Sequence, residues 1–398
     1  MKKSITINAI VITVFAMIFI LCGVIAADHA SAADEQLVTV EITTESAVEI
    51  LTPMAITMED AYKQMKSSDT WSLLELSNLS DKGVAYGYSE SISSLEKAQE
   101  AAETSSSFVS FDSSNLKQTK ARKVYAKSML IPNSVARENA LNLEIFTKYY
   151  TLKNSEANLE IAIANLATKK EALRIAEKKY QLGKVSKLDV LTAEIDWQDA
   201  QNSLASAANN LASTQMDFNI YMSYNLMQEV TLTDELQVTT LSAITLDEAI
   251  ALALVNRIDI KSAAYALEMA QYGFNTYMAY PTNSSKYIAA KVTLIKAQIN
   301  NAKAPLEVEK DVREKYALMM EKYSAVQLDM QSVAKSKESV LIAQKRYEIG
   351  LITLSALQQA QTSLYTVQLN QAQNLLNYNS AVELFIYSYG VGTVAASI

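Results

Sequence analysis

Apolar residues recur every seven positions through much of the chain. Ile145, Leu152, Leu159, Leu166, Leu173 and Tyr180 form one stripe, and Val312, Met319, Val326, Val333, Val340 and Tyr347 form a second. A spacing of seven kept over five heptads is a coiled-coil seam. Because seven residues fall short of two full helical turns, it winds the helices in a left-handed supercoil. Each stripe has a successor: Val190, Trp197, Leu204, Leu211 and Phe218 after the first, then Leu357, Leu364, Gln371, Tyr378 and Phe385 after the second. Between stripe and successor lies a glycine, Gly183 in "YQLGKVSKLDVL" and Gly350 in "YEIGLITLSALQ". Glycine adopts positive φ at little cost and so ends one helix, while Ser186 or Thr353 three residues later caps the next. Ser186-x-x-Asp189 is moreover a capping box, which Ala356 denies to the second copy. The pattern predicts two αα-hairpins with glycine tips and arms of about 40 residues, roughly 60 Å long at ~1.5 Å per residue.

The two hairpins are one unit written twice. Shifted by 167 positions, residues 144–222 align with 311–389 without a gap, and the identities include Tyr149/Tyr316, Lys170/Lys337, Tyr180/Tyr347, Gly183/Gly350 and Phe218/Phe385. Upstream, "ITMEDA" from Ile56 matches "ITLDEA" from Ile244 at an offset of 188, so the first half holds 21 extra residues before its hairpin. Thr57 and Thr245 are predicted N-caps with acids in the following turn. Alternation at Val38, Val40 and Ile42, and again at Val230, Leu232, Leu236 and Val238, predicts short strands. The organisation expected is a signal peptide over 1–32, an extended segment over 33–55, a first repeat over 56–226, a linker over 227–243, a second repeat over 244–390 and a tail over 391–398.

Composition narrows the chemistry. Only 8 Gly and 4 Pro punctuate 398 residues, which again means long helices, and 49% hydrophobic with 20% charged residues excludes both a disordered chain and a polytopic membrane protein. A net charge of -8 argues against nucleic acid or an anionic membrane surface as the main partner. Lys2 and Lys3, an uncharged apolar run from Ile5 to Ala27, and Ala30-Ser31-Ala32 read as an export signal cleaved between Ala32 and Ala33. The run is also long enough to cross a bilayer, so a retained N-terminal anchor is the alternative. The only cysteine, Cys22, and the only histidine, His29, lie inside this signal. The exported chain therefore has no thiol chemistry, disulfide or histidine base, and lacks the usual ligands of zinc, copper and haem. No acid cluster has calcium-loop spacing and no glycine-rich phosphate loop occurs, so no metal, cofactor or catalytic site is expected.

The repeated Thr-Leu-x-Glu-Ala-like opening, the short helix after it, and the Tyr-x-x-Gly-x-x-Ser/Thr hairpin motif of "AEKKYQLGKVSKLDVLTAE" and "AQKRYEIGLITLSALQQAQ" resemble the TolC-like outer-membrane efflux protein family over most of residues 56–390. That resemblance implies a homotrimer whose helices line a duct. It also implies hairpin tips that dock on a membrane-fusion adaptor serving an ABC or other efflux pump. The tip residues carried over are Leu182, Gly183, Lys184, Ile349, Gly350 and Leu351, with Asp189 as a tunnel-end acid. In the family, strands between the short and long helices build an outer-membrane β-barrel. Here those slots are "TSSSFVSFDSSNLKQ" (104–118) and "YPTNSSK" (280–286). A membrane hairpin needs two strands of about 9 to 11 residues, so no barrel is expected. The fold class expected is all-α, with long antiparallel coiled-coil hairpins in two tandem repeats and minor short strands. The location is an exported one in the cell envelope, peripheral rather than barrel-inserted.

Blander readings stand beside these. Asp189 serves as a helix cap without being a gate. The amide-rich stretches at 198–213 and 358–380 suit a wet tunnel lining or a plain solvated face equally, and Lys169-Lys170 and Lys178-Lys179 are expected on exposed faces. Apolar Leu182, Val185, Ile349, Leu351 and Ile352 at exposed tips ask for a partner. A structural coiled-coil scaffold of the envelope without transport activity is the alternative function, and a carboxylate hydrolase finds no paired acids in a cleft pattern.

Overall fold

The computed structural model describes residues 54–104, 113–235, 237–240 and 244–398. The signal with its Ala32–Ala33 junction and the strand expected around Val38 lie outside these residues. Leu51–Ile398 form one compact unit. Its elements are β1 (Met54–Ile56), α1 (Met58–Met65), α2 (Asp69–Thr104), α3 (Ser113–Gln181), α4 (Lys187–Tyr221), β2 (Val230–Leu232), α5 (Leu246–Asn256), α6 (Ile258–Tyr277), α7 (Ser285–Glu348) and α8 (Leu354–Ser388). The all-α expectation holds, and among the described residues the only strands are three-residue β1 and β2. Val238 is not in a strand. Where the second barrel slot would be, residues 278–284 make a tight turn, and Ser284 caps α7 through its side chain on the Tyr287 N–H.

The heptad stripes sit where the spacing puts them. Ile145, Leu152 and Leu159 on α3, and Val312, Met319, Val326 and Val333 on α7, are buried. Each half has its own core near the base of the short helices, and the two cores use repeat-equivalent residues. Ile145, Tyr149, Leu152 and Phe218 gather Ala61 and Met65 of α1. Val312, Met319 and Phe385 gather Ala249 and Ala253 of α5. Ala61/Ala249 and Met65/Ala253 differ by the 188 read from the openings, so both offsets describe real structural equivalence. Thr57 and Thr245 close capping boxes with Asp60 and Glu248, which satisfies donors that a helix start leaves unpaired.

The halves are joined at this level. β1 and β2 pair in parallel, Met54 with Val230 and Ile56 with Leu232. The Tyr149 hydroxyl donates to the Ile56 carbonyl at 3.0 Å and accepts the Asp234 N–H at 3.3 Å, while the Asp234 carboxylate takes the Met58 N–H at 2.6 Å. From this waist the helices run two ways. Towards the glycine tips the packing order is α4, α3, α8, α7; towards the other, distal end it is α2, α3, α6, α7. Helix α3 is central in both, and α7 is a margin of both.

The tail crosses back onto the first half. Asn133 of α3, fully buried, donates to the Ala396 carbonyl and to the Asp81 carboxylate, and its own carbonyl accepts the Ala396 N–H at 2.9 Å. Asn139 donates to the Gly392 carbonyl at 2.9 Å. Val391, Ala396 and Ile398 pack on Tyr125, Met129, Ala136 and Ile258. Gly392 has φ +94, and a Cβ there would meet the Arg257 side chain at 3.6 Å.

Candidate docking site at the hairpin tips

Both tips end their first helix by the same backbone device. Gly183 (φ 67) donates to the Tyr180 carbonyl while the Lys184 N–H reaches back to Lys179 at 2.9 Å. Gly350 (φ 82) donates to Tyr347 while Leu351 reaches Arg346 at 2.8 Å. This is a Schellman turn, which pairs carbonyls that the helix end would otherwise leave open. The next helix starts as expected. Ser186 and Asp189 form the capping box, with the Asp189 carboxylate 2.8 Å from the Ser186 N–H, and Thr353 accepts the Ala356 N–H without an acid to complete a box. The Ser186 hydroxyl and N–H hold the Asp189 carboxyl below its ordinary value, so this acid is an ionised cap.

No atom lies within 4 Å of a Cβ placed on either glycine, so only the positive φ resists substitution. Gly350→Ala is therefore expected to cost about 1 kcal/mol through left-handed strain. A urea melt of that variant beside Gly273→Ala, whose glycine sits inside α6 without a positive φ, checks the prediction.

The two tips share one groove of about 500 Å³, lined by Gly183, Lys184, Val185, Ser186, Asp189 and Lys179 from one side and by Tyr347, Ile349, Gly350 and Ile352 from the other. Of the residues singled out from sequence, Gly183, Lys184, Ile349, Gly350 and Asp189 meet there. Leu182 and Leu351 stand outside the groove, exposed at 68% and 70%, and Ile349 is 72% exposed although it lines the rim. Val185 and Ile352 turn partly inward, Ile352 onto a cluster of Ala176, Ala193, Tyr347, Leu354 and Leu357.

Sequence reasoning missed what links the tips. The Lys179 ammonium lies 3.6 Å from the centroid of the Tyr347 ring and donates to the Tyr347 carbonyl. Burial pushes the Lys179 pKa down, with Lys184 adding to it. Tyr347 is 2% exposed and Tyr180, its repeat equivalent, 47%. One-sided contact between hairpins gives identical sequence positions different environments, which no repeat alignment reveals. Lys169 corrects the exposed-face expectation: it is buried, 2.9 Å from the Asp196 carboxylate and within 3.5 Å of the Thr362 hydroxyl. Lys170 and Lys178 are exposed as expected, and Lys179 is half-buried. In the amide-rich stretches, Gln198, Asn209 and Asn210 are exposed, whereas Gln358, Gln361 and Asn379 are buried. Asn379 stitches the linker to α8 through the Thr239 N–H and the Gln237 carbonyl.

Among the described residues no group of acids could hold a metal ion, and no helix is long and apolar enough to cross a membrane. Residues 113–217, which are α3 and nearly all of α4, match the family model described as outer membrane efflux protein. No curated protein matches the chain by sequence. In fold the chain resembles the outer membrane protein VceC from Vibrio cholerae, at TM-score 0.60 and 15% identity over 85% of this chain and 97% of that one. It also resembles a membrane protein from Pseudomonas aeruginosa, at TM-score 0.65 and 13% identity over 84% and 90%. CusC, described with conformational changes that accompany folding and transmembrane channel formation, gives TM-score 0.62 and 13% identity over 84% and 92%. The resemblance read from the repeats is thus borne out by sequence in the first hairpin and by fold across the unit.

Proposed function

Starting from an outer membrane efflux protein segment set in a fold shared with outer membrane channels, we propose that the chain is an exported, barrel-less duct component of an efflux or secretion assembly. Three copies close its helices into a tube in the cell envelope, and the glycine tips dock on an adaptor that connects to a pump. One observation carries the reading: the margins of the layer are unpaired coiled-coil faces. Along α2, Leu76, Leu79, Gly83 and Tyr86 face outward, and along the opposite margin Ile288, Val292, Ile295, Ile299 and Leu306 of α7 do the same. The glycine-tip end repeats this, with Leu188, Leu191 and Ile195 exposed on α4 and Leu328 and Leu341 on α7. Two different margins with matching apolar seams suit a head-to-tail ring, because each seam finds its complement on the next copy.

Particle images of the exported chain test the duct: a hollow cylinder of three copies is expected, and an extended monomer or filament would return the scaffold reading. Docking is tested separately. Leu182→Ser with Leu351→Ser leaves the turn backbone untouched, so the far-ultraviolet circular dichroism should not change. Capture of the adaptor from the same envelope should fall at least about tenfold if two exposed leucines anchor it. Undiminished capture would reject the tips as the contact.

A further inference from the structure

The distal end carries charge and side chains that neither the duct nor the tips use. In a chain of net charge -8, five Lys and Arg and no acid fall between Ser113 and Lys127 at the start of α3, and four Lys and no acid between Met269 and Leu306. Three contacts place these two basic stretches at one end. The Ser114 and Thr276 hydroxyls are 3.0 Å apart, the Phe274 and Tyr287 rings 5.5 Å, and the Tyr125 and Tyr265 rings stack at 3.7 Å. Helix stability does not ask for bases here. The first turns of α1, α4 and α5 carry acids, as the positive end of a helix favours, while those of α3 and α7 carry none and are followed by lysines.

Apolar groups are presented with the charge. The α6–α7 turn projects Met278, 63% exposed, and Tyr280, and Lys286 lies over the Tyr280 ring at 5.6 Å. Lys291 stands over Tyr287 in the same way at 5.9 Å. Val124 is exposed on α3 between bases. Tyrosine and lysine side chains with an apolar body and a polar tip, beside a protruding methionine, fit the boundary between headgroups and acyl chains. Among the described residues the acids nearest this end are Glu96, Glu100 and Glu103 on α2 and Glu268 on α6; Glu96 is already paired with Lys120 at 2.7 Å, and Glu268 shares a groove with Lys117 and Lys120. We infer that the distal end is a peripheral docking surface for an anionic phospholipid bilayer, with Met278 and Tyr280 inserting at headgroup depth and Lys117, Lys123, Lys286 and Lys291 meeting phosphate. A soluble anionic polymer would use the bases but would gain nothing from the exposed methionine and valine. The lipid surface uses both.

The test is vesicle co-sedimentation of the exported chain, which retains the whole compact unit. Vesicles are phosphatidylcholine alone or phosphatidylcholine with a third phosphatidylglycerol. Wild type should bind only the anionic vesicles, and less as salt rises. Lys117→Glu with Lys286→Glu should weaken binding at least about tenfold. Met278→Asp should weaken it at low salt as well, which separates insertion from pure charge. Unaltered circular dichroism shows that the variants fold. Equal binding to both vesicle types, equal binding by the variants, or binding only to a soluble polyanion such as heparin would each overturn the inference. None of these outcomes bears on whether the chain forms a hollow cylinder.

Discussion

Asn133→Ala is expected to release the C-terminal tail and lower stability by about 3 kcal/mol, since three buried hydrogen bonds go and the backbone groups of Ala396 lose their partners. The amide is suited to this place because it offers a donor and an acceptor side by side, as the backbone of a neighbouring strand would. Asp81 keeps Arg137 at 2.8 Å, so the loss falls mainly on the tail. Asn133→Asp separates the two halves of the contact: a carboxylate accepts the Ala396 N–H but cannot donate to its carbonyl, and it stands beside Asp81. That variant should do no better than alanine at neutral pH and should improve as the pH falls and it gains a proton. Urea midpoints with amide exchange at residues 391–396 read both effects. Unchanged protection of those amides in Asn133→Ala would mean that apolar packing of Val391 and Ile398 on α3 holds the tail alone.

The tail also marks where sequence reading stops. Hairpins, caps and tips were legible because each depends on residues close in the chain: a heptad at Ile145 and Leu152, a serine three residues before Asp189, a glycine at positive φ. The cores were legible through the two repeat offsets. Contacts between hairpins were not. A heptad register describes a helix with one partner, whereas α3 is packed on several sides, so Lys169 falls on a second buried arc and needs Asp196 to be tolerated there. Lys179 on the ring of Tyr347 belongs to the same class, as does Asn133 with residues 263 positions away. The expected absence of barrel strands rested on slot length, and the described part of those slots is helix or turn.

Gly87→Leu is expected to stabilise the isolated protomer yet abolish its assembly. Gly83 and Gly87 lie inside α2 with ordinary helical backbone, where glycine costs about 1 kcal/mol relative to alanine. Nothing within the protomer explains that cost, since no atom lies within 4 Å of a Cβ added at either site. Both face outward on the margin that carries Leu79 and Tyr86. A groove two glycines deep lets a neighbouring helix approach closely. The facing margin of a second copy would supply Ile295 and Ile299 from α7, which runs antiparallel to α2. Leucine at position 87 fills the groove without touching its own chain, so thermal melting should rise or hold while sedimentation shifts from an oligomer to the monomer. Charge gives an independent check. Glu90, one heptad after Gly83 on α2, and Lys296, beside Ile295 on α7, lie near the same level, so Glu90→Lys and Lys296→Glu should each weaken assembly and together restore it. If Gly87→Leu assembles as wild type does, α2 is not the buried margin and the head-to-tail ring is wrong.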